Sequence, residues 1–204
     1  MFRITRRLAG QPGGRSGARR RVATAALILV GGVALPAVAI PQNDPPVTVN
    51  EDGGVYSVSA TFTVPEAASF AFAALTDYAQ IPRFMPEVRS SNVIERADDR
   101  TVVEQEAVAR FMLFSKRVHL VLEVQEERGT IRFRDRCGKS FARYEGVWSI
   151  AERDGITHVT YELAAKPSFD VPEFLLKRLL KRDASHMIER LKAEIHTRAR
   201  YPMN

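Results

Sequence analysis

The last long segment, DVPEFLLKRLLKRDASHMIERLKAEIHTRA from Asp170 to Ala199, constrains the fold more than any other stretch of the chain. At about 100° per residue, Leu176, Leu180, Ala184, Met187, Leu191 and Ile195 fall on one arc, and Arg178, Lys181, Arg182 and Lys192 fall on the opposite one. Leu175 and Leu179 widen the apolar stripe in the first half. The spacing predicts one helix, roughly twice the usual globular length, whose stripe is too broad for a coiled-coil seam. Such a helix needs a broad surface to cover. Asp170 as cap, Pro172 in the first turn and Glu173 closing a D-x-x-E capping box mark its expected start.

The preceding segments supply that surface. Val55 to Val64 places Tyr56, Val58, Ala60, Phe62 and Val64 on one face and Ser57, Ser59, Thr61 and Thr63 on the other, the period of a half-buried strand. Pro65 and Glu66 open a short helix through Leu75. Thr76 and Asp77 end it, with Asp77 capping a shorter helical turn from Tyr78 to Phe84 that Pro82 interrupts. Helices this short do not fold alone. Six strands are then predicted, at Val88–Arg96, Thr101–Phe114, Lys116–Glu127, Thr130–Arg136, Phe141–Ala151 and Ile156–Lys166, most of them separated by tight polar turns that suit hairpins. Alternation keeps one face apolar throughout, as in Val118, Leu120, Leu122 and Val124 against Arg117, His119, Glu123 and Gln125. The expected class is α+β: a seven-stranded antiparallel sheet wrapped around the C-terminal helix, with two short helices after the first strand.

The N-terminus is of another kind. Seven arginines from Arg3 to Arg21 precede an apolar run from Val22 to Ala39 that ends in the A-x-A pattern Ala37-Val38-Ala39. Residues 1–39 therefore read as an export signal, or as a membrane anchor through residues 22–39 if uncleaved. Residues 40–54, rich in Pro, Asn and Asp, read as a linker, 55–199 as the folded domain and 200–204 as a tail. The expected location is periplasmic or extracellular, free or anchored.

That division changes what the charge means. The chain of 204 residues carries a net +6, but seven of its 30 basic residues precede Val22 and the first acid is Asp44. From residue 40 onward 23 basic residues face 24 acidic ones, a net charge of −1. The basicity belongs to the leader, and a nucleic-acid partner is excluded on that ground. Cys137 is the only cysteine, so no internal disulfide or cysteine-based zinc cluster can form. His119, His158, His186 and His196 show no metal-ligand spacing. No metal and no cofactor is expected.

The element order, together with Asp77-Tyr78, Pro82-Arg83-Phe84, Met85-Pro86, the aromatic strand Tyr144-Glu145-Gly146-Val147-Trp148 and a terminal helix of the form LLKRLLKR, resembles the START-like (SRPBCC) superfamily of lipid-binding and polyketide-cyclase-like proteins. The coenzyme Q-binding type is the nearest within it. Members of that type tend to continue after Phe-Met-Pro with a tryptophan and a cysteine, where this chain has Glu87-Val88. The resemblance spans Val55 to Ala199. It implies a helix-grip (START/Bet v 1-like) fold and ligands such as lipids, quinones, sterols or polyketides, and some members catalyse cyclisation.

A sheet gripping a single helix leaves a gap between them. The residues expected around it are Tyr78, Ile81, Phe84 and Met85 from the short helices, Phe111, Leu113, Phe133, Tyr144, Trp148 and Tyr161 from the strands, and Leu176, Leu180 and Met187 from the long helix. For each of these, a place in a solid core is the alternative. Gln105, Tyr144 and Tyr161 are the inner polar groups able to orient a ligand carbonyl or hydroxyl. By alternation His119, His158, Glu104, Glu106, Glu123 and Glu162 point outward, so no inward acid and base are expected. The expected function is a non-enzymatic carrier of a hydrophobic small molecule. The alternative is a cyclase- or dehydratase-like enzyme with Tyr144 or Tyr161 as proton donor. Lys177, Arg178, Lys181 and Arg182 offer a contact to an anionic membrane surface.

Overall fold

The alternating segments pair as a single antiparallel sheet in the computed structural model, which describes residues 47–111 and 114–201. The strands are β1 (Val47–Asp52), β2 (Val55–Val64), β3 (Val88–Arg96), β4 (Thr101–Phe111), β5 (Phe114–Glu127), β6 (Thr130–Asp135), β7 (Phe141–Arg153) and β8 (Ile156–Pro167). Their spatial order is β1-β2-β8-β7-β6-β5-β4-β3, a meander whose N-terminal hairpin attaches beside the last strand. The leader at 1–39, the first part of the expected linker at 40–46 and the tail from residue 202 lie outside the described residues.

Two boundaries differ from expectation. Val47–Asp52, inside the segment read as linker, forms β1 and pairs with β2 from Val47↔Ala60 to Asp52↔Val55, making eight strands rather than seven. Gly53 and Gly54, at φ +58° and +82°, supply the two left-handed residues that a two-residue hairpin turn requires. The expected strand Thr101–Phe114 ends as β4 at Phe111, and β5 begins at Phe114, with Phe111 paired to Phe114.

α1 (Ala68–Thr76) and α2 (Ile81–Phe84), with a 3₁₀ turn at Tyr78–Gln80 between them, follow β2 as expected. Pro82 sits in the first turn of α2, where no backbone donor is needed, and so does not interrupt it. Asp77 makes no side-chain cap. Its carboxylate accepts instead from Arg198 at 3.0 Å, and Arg198 also donates to Glu194 at 2.8 Å and to the Ala73 carbonyl at 3.1 Å. This buried cluster ties the end of α1 to the last turns of α3 (Glu173–Arg200).

The start of α3 corrects the capping-box reading. Pro172 occupies the cap position with extended geometry and no side-chain cap, and its carbonyl accepts from the amides of Leu175 and Leu176. The proline ring holds Val171 out of helical geometry, so Asp170 lies too far back along extended chain to reach the first-turn amides.

The two halves of α3 are packed differently. Ile188, Leu191 and Ile195 are fully buried in the main core with Val103, Val159 and Ala165. Leu176 and Leu179 belong to a smaller cluster with Tyr56, while Leu180 and Met187 are only half-buried. The second half is sealed into a close-packed interior. The first half roofs a space.

Candidate functional site

That space is a cavity of about 240 Å³ between the first half of α3 and the concave face of the sheet. The roof is Leu176, Leu179, Leu180, Ala184 and Met187. Val58, Ala107, Leu120, Leu163 and Ala165 form the floor, and Met85, Phe141 and Phe169 close the sides. Small residues on β4 and β8 leave room that larger ones would fill. Gly146 on β7 has another role: a Cβ there would stand 2.6 Å from Phe133 Cζ and 2.4 Å from the Glu162 carbonyl oxygen, so glycine alone admits the Phe133 ring.

Of the residues expected around the gap, Met85, Tyr144, Tyr161, Leu176, Leu180 and Met187 line the cavity. Tyr78 does not; it is buried elsewhere and donates its hydroxyl to Glu126 at 2.8 Å. Ile81, Phe84 and Phe133 pack against the main core, and Trp148 is buried behind Tyr161 with ring centroids 4.3 Å apart. These five lie one layer away because the core is filled solidly at that end. Leu113 and the side chain of Phe111 lie outside the described residues.

The inner polar groups are in place. Gln105 lines the cavity and donates from Nε2 to Ser91 Oγ at 3.0 Å. Tyr144 lies between Phe141 and Phe133, at 4.9 and 6.0 Å between centroids. Burial pushes its phenol up to about 12, offset in part by the Tyr161 hydroxyl, and burial also pushes Tyr161 well above its ordinary value. Both phenols stay protonated over the whole physiological range. Tyr144 nevertheless keeps accessible surface while deep among protein atoms, because that surface faces the cavity.

Strand alternation does not exhaust the ionisable groups at the cavity: Glu87 and Asp183, whose side chains are 38% and 37% exposed, and the exposed His186 stand at its rim. Strand alternation carries no signal for them, since Asp183 and His186 sit one turn apart on α3 beside Ala184 and Met187, and Glu87 immediately precedes β3. Burial pushes the Asp183 carboxyl above the ordinary range, only partly offset by Arg182, which binds it at 2.7 Å. Burial also raises Glu87, but its hydrogen bond from Arg190 prevails and holds it below the ordinary range. The outward set of His119, His158, Glu104, Glu106, Glu123 and Glu162 does not line the cavity. His119 faces Glu104 at 3.8 Å and Glu123 pairs with Arg134 at 2.6 Å.

Two further depressions, of about 650 and about 450 Å³, lie on the outer face of the sheet. The larger is lined by Glu123, Arg132, Arg134, Glu145 and Glu162, the smaller by Arg128, Arg153, His158 and a row of hydroxyls. Both have linings more polar than that of the space under α3, and a largely apolar lining is what suits a hydrophobic small molecule.

On the outside of α3, Lys177 pairs with Glu173 at 2.6 Å and Arg182 with Asp183, while Arg178 and Lys181 are exposed and have no ion pair among the described residues. Phe174 is 76% exposed beside them. Among the described residues no helix is long and apolar enough to cross a membrane, and no group of three or more His, Cys, Asp or Glu could hold a metal ion.

The same architecture occurs in solved structures. A START superfamily protein from Mycobacterium smegmatis is similar with a TM-score of 0.58 and 18% identity, over 69% of this chain and 97% of that one. The Zhui aromatase/cyclase from Streptomyces sp. R1128 gives 0.61 and 13% over 72% and 97%. A STAR-related lipid transfer protein from Xanthomonas axonopodis gives 0.58 and 15% over 76% and 99%. At such identities the likeness is one of fold, the helix-grip arrangement. No curated protein matches the chain by sequence. The family model for polyketide cyclase / dehydrase and lipid transport proteins, however, matches residues 64–192, well over half of the chain and the whole span from the end of β2 to the sealed half of α3, and the chain belongs to that family.

Proposed function

We propose that the protein is an exported carrier that holds a hydrophobic small molecule, of lipid, quinone or polyketide-like character, in the cavity beneath α3. The observation that carries the reading is the largely apolar space of about 240 Å³ under a helix whose other half is sealed. Export rests on the Arg-rich leader and the A-x-A pattern at Ala37-Val38-Ala39. The exposed Arg178 and Lys181, with Lys177, Arg182 and Phe174 beside them, suit contact of this end of the molecule with an anionic bilayer during loading.

Native mass spectrometry of the protein purified from its own host tests the reading. The expected result is a bound apolar compound of discrete mass. Absence of any adduct, combined with no uptake of apolar probes, overturns it. Fractionation that leaves the full-length chain in the cytoplasm overturns export alone.

A second reading, a cyclase- or dehydratase-like enzyme, is favoured by one observation: Glu87 and Asp183, facing one cavity, are displaced in opposite directions from the ordinary carboxylate range. Two carboxyls held apart in this way can act as base and acid on one bound molecule. Tyr144 and Tyr161 are held protonated and stand available as donors. Turnover of a β-hydroxy ketone that survives in Tyr144→Phe and Tyr161→Phe but is lost in Asp183→Asn assigns the proton donor to Asp183.

A further inference from the structure

Apart from Gln105 and the hydroxyls of Tyr144 and Tyr161, the polar side chains of the cavity wall gather along one edge. Its charged side chains there are Glu87, from the short connection between α2 and β3, and Asp183 and His186, from the roof. The carboxylates come from elements far apart in the chain and meet the same space as Leu180 and Ala184. Each has a guanidinium partner: Arg190 for Glu87, and Arg182 for Asp183 through Nε at 2.9 Å and a terminal nitrogen at 2.7 Å. Arg182 is held further by the Arg110 carbonyl at 3.2 Å. Neither arginine belongs to the cavity wall. A molecule inside therefore borders the two acidic residues and not their guanidinium partners.

This arrangement discriminates between head groups. An anionic head at this edge would stand beside two carboxyls, each a little over a third exposed, and be repelled by them. A hydroxyl or amine placed there gains a charge-assisted hydrogen bond. Volume sets the other limit. About 240 Å³ is below the roughly 300–1,000 Å³ that houses a drug-sized ligand. At the roughly 30 Å³ that one water occupies in the liquid, it holds on the order of ten non-hydrogen atoms. A diacyl lipid does not fit within it.

We propose that the cavity selects small amphipathic molecules, a single short chain or one or two rings, whose polar end is a hydrogen-bond donor without negative charge, and that Asp183 sets this preference. The proposal rests on the carrier reading and narrows its ligand class. His186 is the one basic side chain on the wall, and a cavity it governed would rank acids above amines.

Trp148, the only tryptophan in the chain, stacks on Tyr161 and reports occupancy by its fluorescence. The full-length protein is titrated with octan-1-ol, octylamine, sodium octanoate and, as a probe without a head group, toluene. The alcohol and the amine are expected to bind at least about ten-fold more tightly than octanoate, and Asp183→Asn is expected to remove most of that gap while preserving toluene binding. Glu87→Gln provides the same comparison if Asp183→Asn fails to fold. Octanoate binding as tightly as octanol, or a ranking unchanged in the folded variant, overturns the proposal. Toluene binding with a flat ranking overturns the head-group preference and leaves the carrier reading standing, whereas no binding by any of the four overturns both.

Discussion

Gly146 shows how much one residue without a side chain decides here. It lies opposite Leu163 on β8, with Phe133 across from it on β6, and the missing Cβ is the space that ring occupies. One of the two close atoms is a backbone carbonyl, which cannot move aside without disturbing the ladder. Gly146→Ala is therefore expected to cost about 1–3 kcal/mol, the usual penalty of overpacking, measured by urea denaturation against the parent. A second expectation concerns the phenols. In the unfolded chain they ionise near their ordinary value of 10, but Tyr144 does so at about 12 in the fold. The folded state then holds more protons between those values, so stability is fully present below pH 10 and falls as pH climbs from 10 toward 12. Melting temperature against pH should show this decline, and Tyr144→Phe should make it shallower; a profile flat to pH 12 would contradict the burial of these rings.

At the scale of elements, α3 is two helices in function and one in backbone. Leu191→Ala empties a site with no exposed surface and is expected to cost about 2–5 kcal/mol. Leu180→Ala only enlarges a space that already exists, so it should cost less than half as much while weakening binding of apolar probes. Paired chemical denaturation curves separate the two, and equal losses would show that the first half is as solidly packed as the second. The period of 3.6 made the apolar stripe legible, but Leu180 and Ile188 differ in what lies across from them, which periodicity does not encode. The strands from β2 to β8 were legible through alternation. β1 is hidden by the Pro, Asn and Asp before Val49, which read as linker, although the Gly53-Gly54 pair after it is itself a hairpin signal. The tyrosines of the cavity followed from strand alternation. Asp183 and Glu87 did not, since a charged residue beside Arg182 on a helix reads as solvated until the helix has a known floor. The capping motif at Asp170 failed for a local reason, the constraint Pro172 puts on its neighbour.

Across the whole molecule, the exposed cations and Phe174 gather at the start of α3, the cavity end, while the core closes the other end. Binding to vesicles containing anionic phospholipid is expected to fall about thirty-fold when Arg178 and Lys181 are both replaced by Gln, since each basic residue near such a surface contributes about 1 kcal/mol. Sedimentation with neutral vesicles should show no difference, and an unchanged anionic profile would remove the membrane contact.

The sheet order has a consequence in time as well as in space. From β3 to β8 every pairing is a hairpin between neighbours, but β2 pairs with β8 across the chain, with Thr61 beside Thr160, 99 positions away. Closing so long a loop is slow, and the pairings it permits form late in the folding reaction. The first hairpin to be synthesised is thus the last to be incorporated. Any chain in which that hairpin has yet to pair presents β8 as an open edge and leaves α3 without the β1 and β2 surface it rests on.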